Sequence, residues 1–445
     1  RDHAAGRTGM GAVMGAKRLK AIVVRGGGGP RRKPRSEAVK AAVRDYLRRI
    51  TGSPDFKVFS ELGGAGYVQW ADEHSLMSTR NYREQRFAGS AALDGARLRE
   101  ARVRTRGCAR CPVRCKAVLR FPEGKYKDRE LFRPEFEPMI NLGAKCGLAD
   151  APALVHLDNL LTRLGLDSTS AATAIAFAMD LHDRGILDPA IAQGLDLAWG
   201  SGDGMEALIR QMAAGEGLGG ILAGGVRRAA RILGPEAEQF AAHVKGLELT
   251  AYHPAALLGS ALGYAISSRG GDYNNVYASM EHRWTAEQAE AAFGTAKALD
   301  PASYDGKGRL VHRAVLVNII VDSLGICKVP ALSMIGAFDL ENEARLTAAL
   351  TGWDITAREL FTVGQRVADI ERMINIRLGA GPADDALPEM FFTGGGPRLD
   401  RANFHRMVAE FYAAMGWDET GRPGDIPVED IPAGCRARAQ GSRHI

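Results

Sequence analysis

Three cysteines within eight positions, Cys108-Ala-Arg-Cys111-Pro-Val-Arg-Cys115, constrain this chain more than any other feature. Thiols at C-x2-C-x3-C spacing require the backbone to curl around a common centre. A cuboidal iron–sulfur cluster takes three ligands from such a run and a fourth from far along the chain. Cys327, in the Gly-containing turn Asp322-Ser-Leu-Gly325-Ile-Cys327, is the natural fourth. A structural zinc site, for which the x3 spacing is less usual, and unconnected thiols are the competing readings. Arg110, Arg114 and Lys116 surround the run and offset the charge of the thiolates. Six cysteines in 445 residues, three of them bunched, fit a metal site in a reducing, cytoplasmic setting better than a disulfide framework. Cys435 reads as a small buried group or a tail residue. Cys146, between Gly143 and Gly147, reads as a buried apolar group or as a thiol beside a metal.

Apolar residues recur at helical spacing over 38–50, 153–164, 169–186, 203–214, 221–233, 253–268, 312–326, 340–351, 356–377 and 402–415, with another helical stretch ending at Val103. Strand alternation is scarce outside Ala21-Ile22-Val23-Val24. The expectation is a mainly α chain: two predominantly helical domains, 31–242 and 243–445, following the remnant of an N-terminal β-rich domain, 1–30. The glycine-rich, basic stretch Gly26–Arg35 reads as a linker. The start at Arg1, inside a motif, leads us to expect further chain upstream. No apolar run approaches the roughly 18 residues of a membrane helix, so no membrane contact is expected. The net charge of +6 suits an anionic cofactor or an acidic electron carrier. The basic residues are dispersed and no recognition motif accompanies them, which argues against nucleic acid.

The glycine loop Ala4-Ala5-Gly6-Arg7-Thr8-Gly9-Met10-Gly11-Ala12-Val13-Met14-Gly15-Ala16-Lys17, preceded by His3, is alone only a weak phosphate-binding signal. Other segments follow it in a telling order. They are Pro134-Glu135-Phe136-Glu137, Leu164-Gly165-Leu166-Asp167-Ser168, Arg269-Gly270-Gly271-Asp272 and Asp322–Cys327. Further on come Glu371-Arg372 with Asn375, Asp384-Asp385, Phe411-Tyr412 and Gly416-Trp417-Asp418. Together with the cysteine run, the series resembles the aldehyde:ferredoxin oxidoreductase family over nearly the whole chain. That resemblance implies a tungsten or molybdenum bis-pterin cofactor beside one [4Fe–4S] cluster held by Cys108, Cys111, Cys115 and Cys327. It implies cofactor contacts from Ala4, Gly6, Arg7, Leu166, Asp167, Arg269, Asp272, Asp322 and Ile326, with Glu137 and Tyr273 catalytic. The activity it implies is oxidation of a small-molecule aldehyde to a carboxylate, with electrons passed to ferredoxin or a ferredoxin-like subunit; it leaves a homodimer open.

Four departures qualify the resemblance. Tyr273 stands where the family usually has an active-site histidine. With a reference pKa of about 10, tyrosine is a hydrogen-bond donor and a poor base. Phe136 replaces the tyrosine of P-E-Y-E, and Thr162 occupies the leading position of the first D-x-x-G-L-D motif. His156 lies near an E-x-x-H position without forming that motif, so no iron between subunits is expected. The altered residues, with Cys146, motivate an alternative: the catalytic tungsten subunit of a benzoyl-CoA-reductase-like complex. A non-catalytic iron–sulfur or zinc scaffold is the third reading.

Overall fold

A computed structural model describes residues 4–25 and 37–424. His3, the Gly26–Arg35 linker with the 30/31 boundary, and Cys435 lie outside the described residues. The chain forms two compact units. Residues up to Ala41, Pro54–His253 and Gly395–Pro397 make the first; Ala42–Ser53, Pro254–Gly394 and the residues from Arg398 onward make the second. The sequence boundary at 242/243 precedes a short hairpin, whereas the structural division follows it at His253/Pro254. The reason is local: the carbonyls of Leu249 and Thr250, just past the hairpin, accept hydrogen bonds from Thr173 and Tyr82 of the first unit.

The first unit is organised by two consecutive helices, α1 (Ala151–Leu164) and α2 (Ser168–Asp183). Asp150 caps α1, its carboxylate accepting the Ala153 N–H at 3.0 Å, and Gly165 ends the helix in the left-handed conformation (φ 76°). Asp167 then caps α2 through the Ser170 N–H at 2.7 Å. Ala171–Leu181 of α2 is buried on every side, as a continuous apolar run requires. Three antiparallel strands, β1 (Arg102–Arg106), β2 (Lys116–Leu119) and β3 (Leu131–Phe132), form a sheet with register Arg106↔Lys116 and Val118↔Phe132. The cysteine run is the loop between β1 and β2. The small hairpin pairs β4 (His243–Val244) with β5 (Leu247–Glu248). Val103 therefore belongs to a strand: the expected helix ends at Glu100. Residues 21–25 form no strand; Ile22, Val23 and Val24 are exposed and pair with none of the described residues.

The second unit is built on α3 (Leu258–Ile266), α4 (Lys307–Ser323), α5 (Ala357–Arg377) and α6 (Arg401–Met415). α4 packs against α3, α5 and α6. A reciprocal Thr356–Glu359 capping box starts α5, and Asp400 caps α6. Among the described residues no helix is long and apolar enough to cross a membrane.

Candidate functional site

In the first unit the motifs converge. A Cβ added at Gly6 would lie 2.5 Å from the Asp167 nitrogen and 2.9 Å from the Leu166 carbonyl carbon. Only glycine lets the loop rest on the G-L-D turn. Arg7 Nη1 lies 3.4 Å from Asp167 Oδ2 and from Ser170 Oγ, and Nη2 donates to the Glu248 carbonyl at 2.9 Å. A cavity of about 120 Å³ opens beside this contact, lined by Ala4, Lys116, Glu135, Pro138, Leu166 and Asp167 among others. One cavity is thus bounded by the glycine loop, the residue after Cys115, the P-E-F-E segment and the G-L-D turn. Thr162 lines it too, and so does Asp158 one helical turn earlier. Burial pushes the Asp158 carboxyl up to about 7, against the pull of a hydrogen bond from Ser168.

Glu137 sits at the entry to a π-helical turn, Met139–Gly143, a geometry common at functional sites. Its Oε2 accepts the Ala251 N–H at 2.9 Å and the Asn141 side-chain amide at 3.1 Å. Asn141 is fully buried, and its Oδ1 is left without a hydrogen bond, an acceptor open to a donor beside Glu137. Phe136 packs on Tyr252, ring centroids 5.3 Å apart.

The thiol loop is closed at its base. A Cβ on Gly107 would meet Arg114 Cα at 2.9 Å, and the Cys111 N–H bonds the Cys108 carbonyl at 3.1 Å. Arg110 and Arg114 adopt left-handed backbones (φ 61° and 50°) that curl the run. Buried Arg133 donates to the Cys115 carbonyl at 2.7 Å, and Lys116 pairs with Glu135. Cys108 is exposed, and Cys111 and Cys115 half-buried. No group of three His, Cys, Asp or Glu side chains among the described residues is drawn to metal-binding distance.

In the second unit Arg269 pairs with buried Asp272 at 2.8 Å, and Asp272 accepts the Asn274 N–H at 2.7 Å. Lys328 ties this turn to the other motif: Nζ lies 2.8 Å from Asp322 Oδ2 and donates to the Asn274 carbonyl at 2.5 Å. Asp322 ends α4, Gly325 turns the chain (φ 68°), Ile326 is half-buried and Cys327 exposed. Asp322 also borders a cavity of about 140 Å³. Tyr273 is buried between Tyr264 and Tyr277. The C-terminal motifs meet beside this turn: Glu371, Arg372, Asn375, Phe411 and Trp417 line the same cavity as Asp322, Asn375 donates to the Ser268 carbonyl at 2.6 Å, and a buried triad stands behind them. Arg372 grips Asp385 through both nitrogens (3.1 and 2.7 Å), and the Tyr412 hydroxyl donates to the same carboxylate.

Two side chains escaped the sequence reading. Asp158 could have been found by asking which acid shares a helix face with Thr162. Lys145 could have been found as the lone charge in Leu142–Leu148; it is completely buried. Cys146 is buried with its thiol 3.4 Å from the Asn141 and Ala172 carbonyls, and burial pushes it up to about 12. That environment suits a small buried thiol. His156 stacks on Tyr126, centroids 4.3 Å apart.

Comparison with known proteins shows what the chain is similar to. Residues 41–429 match the family described as aldehyde ferredoxin oxidoreductase, domains 2 and 3, and residues 1–26 match its N-terminal domain. The tungsten-containing aldehyde ferredoxin oxidoreductase of Pyrococcus furiosus is 31% identical over 442 residues, covering 96% of this chain and 69% of that protein. The Thermococcus kodakarensis enzyme of the same name is also 31% identical, at 96% and 68% coverage. An aliphatic sulfonate oxidoreductase subunit of Pyrococcus furiosus is 27% identical, at 97% and 66% coverage. Among solved structures, the active-site complex of benzoyl-coenzyme A reductase with 1,5-dienoyl-CoA superposes with a TM-score of 0.71 at 21% identity, covering 94% of this chain and 68% of that one. The chain is therefore an oxidoreductase by kinship. More narrowly, it belongs to the aldehyde ferredoxin oxidoreductase family.

Proposed function

We propose that this chain carries the catalytic core of a tungsten- or molybdenum-pterin enzyme that oxidises an aldehyde to a carboxylate in the cytoplasm. Electrons leave through one [4Fe–4S] cluster to ferredoxin or a ferredoxin-like subunit. The observation that carries this reading is the single cavity bounded by the glycine loop, the residue after Cys115, the P-E-F-E segment and the G-L-D turn. The residues suit the group on physical grounds. Gly6 permits close backbone approach, Arg7 supplies a cation for a phosphate, and Asn141 Oδ1 keeps an uncommitted acceptor. Three thiols on a curled, cationic loop are the donor set an iron–sulfur cluster takes.

In this reading Ala4, Gly6, Arg7, Leu166 and Asp167 contact one pterin; Arg269, Asp272, Asp322 and Ile326 contact the other. Cys108, Cys111, Cys115 and Cys327 bind the cluster. Bound, the metallopterin supplies a two-electron acceptor and the cluster a one-electron exit. Aldehyde and water yield carboxylate, three protons and two electrons. Glu137, held by Ala251 and Asn141, takes a proton from the attacking water. Tyr273 donates a hydrogen bond to the substrate oxygen. Metal analysis of the anaerobically purified full-length protein tests the cofactor claim; finding neither tungsten nor molybdenum sinks it. Given the metal, Glu137→Gln is expected to lower kcat by roughly 10²–10⁴.

Phe136 and Tyr273 favour a second reading, a reductase subunit acting on an aromatic CoA thioester. Useful turnover of simple aldehydes with a viologen dye removes it.

A further inference from the structure

Lys145 lies just beyond the π turn that follows Glu137, wholly buried in the first unit. Its Nζ is 2.9 Å from the Tyr82 hydroxyl, 3.0 Å from Thr173 Oγ1, 2.9 Å from the Leu249 carbonyl and 3.0 Å from the Thr250 carbonyl. All four oxygens accept. Tyr82 spends its own proton on the Thr250 carbonyl at 2.7 Å, and Thr173 spends its proton on that of Leu249 at 3.2 Å. A cage of acceptors fits an ammonium, which has donors only. Burial pushes Lys145 down to about 7; the charges of Glu137 and Glu248 oppose that fall, while Arg7 adds to it.

The cage is held by an unusual turn. Arg80, Asn81 and Tyr82 take left-handed backbones in succession (φ 46°, 50° and 66°), a conformation unfavourable for L-residues. The Asn81 amide donates to buried Asp180 at 2.8 Å and to the Phe240 carbonyl at 3.1 Å. His253, kept neutral because burial pushes it down to about 4, donates to the Tyr82 carbonyl at 3.1 Å. The turn sets the Tyr82 ring 4.7 Å from the Lys145 ammonium. Three such residues in succession on a well-anchored turn direct attention to what that turn presents.

What it presents is a path to Glu137. Along the strip after β5, the Glu248 carbonyl accepts from Arg7, and the Leu249 and Thr250 carbonyls accept from Lys145. The Ala251 N–H then donates to Glu137 Oε2 at 2.9 Å. The Thr250 carbonyl and the Ala251 N–H are two ends of one planar peptide group. Fixing the oxygen therefore fixes the direction of the N–H, and an ammonium on the oxygen strengthens the donor. The geometry points to Lys145 as the positioning residue that aims and polarises the 250–251 peptide toward the Glu137 carboxylate. This rests on the proposed role of Glu137.

The test uses full-length, metal-loaded enzyme carrying Lys145→Met, which keeps the stem and removes the donors. Iron and tungsten content are expected to stay at wild-type values, KM within about twofold, and kcat to fall by roughly 10–100-fold, the scale of a displaced catalytic group. Hydrogen exchange at the Ala251 amide, read by mass spectrometry on 249–252, is expected to accelerate by about tenfold or more while α2 keeps its protection. Lys145→Gln retains two N–H donors and is expected to recover the Ala251 protection and part of kcat; it also serves if the methionine variant fails to fold. Unchanged kcat with unchanged exchange overturns the inference. So does exchange that rises equally across α2, since that marks a lysine supporting only the core. If Glu137→Gln leaves kcat intact, the role of Glu137 fails instead, and the exchange result still reports whether Lys145 holds the peptide.

Discussion

The two units spend their buried polar groups differently. In the first, the buried cation Lys145 bonds the strip leading to Glu137, and the loop of Gly6 and Arg7 lies directly on the G-L-D turn. In the second, the buried triad Arg372–Asp385–Tyr412 joins α5 and α6, while Asp322 in the last turn of α4 and Cys327 just beyond it stand exposed. One unit invests its polar interior in the candidate site. The other invests it in holding its helices; of its motif residues Arg269, Asp322 and Cys327 are exposed, while Asp272 and Tyr273 are buried. The contrast teaches that motifs of equal clarity can sit in surroundings built in different ways.

The sharpest way to break this contrast is Arg372→Met. The side chains of Arg372 and Asp385 are 5% and 0% exposed, so the variant strands a buried carboxylate. Losing one partner of such a pair costs about 3–5 kcal/mol. Denaturant unfolding should show that loss, while tungsten content of the surviving folded protein stays at the wild-type level. Metal lost in proportion to arginine substitution, with stability intact, would move the triad from scaffold to site.

Gly6→Ala comes next. The added methyl meets the Asp167 backbone at 2.5 Å, and neither backbone can yield without shifting the loop. Overpacking of this kind costs about 1–3 kcal/mol. Here it should fall on cofactor retention, about tenfold for each 1.4 kcal/mol, and leave the melting temperature nearly unchanged. Pterin and tungsten at wild-type stoichiometry would show that the loop is not part of a cradle.

The same contrast explains how much could be read beforehand. The long helices declared themselves: 356–377 carries a full periodic stripe, and Ala357–Arg377 is what forms. The β1–β2 hairpin did not, because Arg-Val-Arg-Thr-Arg hides its alternation under basic residues and only β2 is buried. Ile22–Val24 has strand composition, but a strand exists only with a partner, and none of the described residues supplies one. Gly6, Arg7 and Asp167 were named through the family resemblance, and the structure brings the three together because only glycine allows the loop to lie on the Asp167 backbone. Lys145 was not, since a lysine ordinarily belongs in solvent and its cage comes from Tyr82, Thr173 and residues 249–250, far apart in sequence. Backbone carbonyls carry no sequence signature at all.

The smallest expected effect sharpens the comparison between two aspartates. Asp158 lines the first unit's cavity, and burial raises its carboxyl from 3.8 to about 7. Between pH 4 and 7 the folded chain therefore keeps a proton that the unfolded chain has released. Its contribution to stability is complete below pH 4 and is lost as pH rises to 7, with a slope of at most about 1.4 kcal/mol per pH unit. Asp158→Asn cannot ionise, so it should match wild type near pH 4 and grow steadily more stable than wild type up to pH 7. Asp322 of the second unit is more than half exposed and bonds Lys328, whose side chain is 21% exposed. Asp322→Asn, an exposed substitution, should stay within about 0.5 kcal/mol of wild type at pH 7. Urea unfolding at four pH values separates the two. Parallel curves for Asp158→Asn and wild type would mean that its carboxyl is solvated, and the first unit would lose its claim to a preformed cavity.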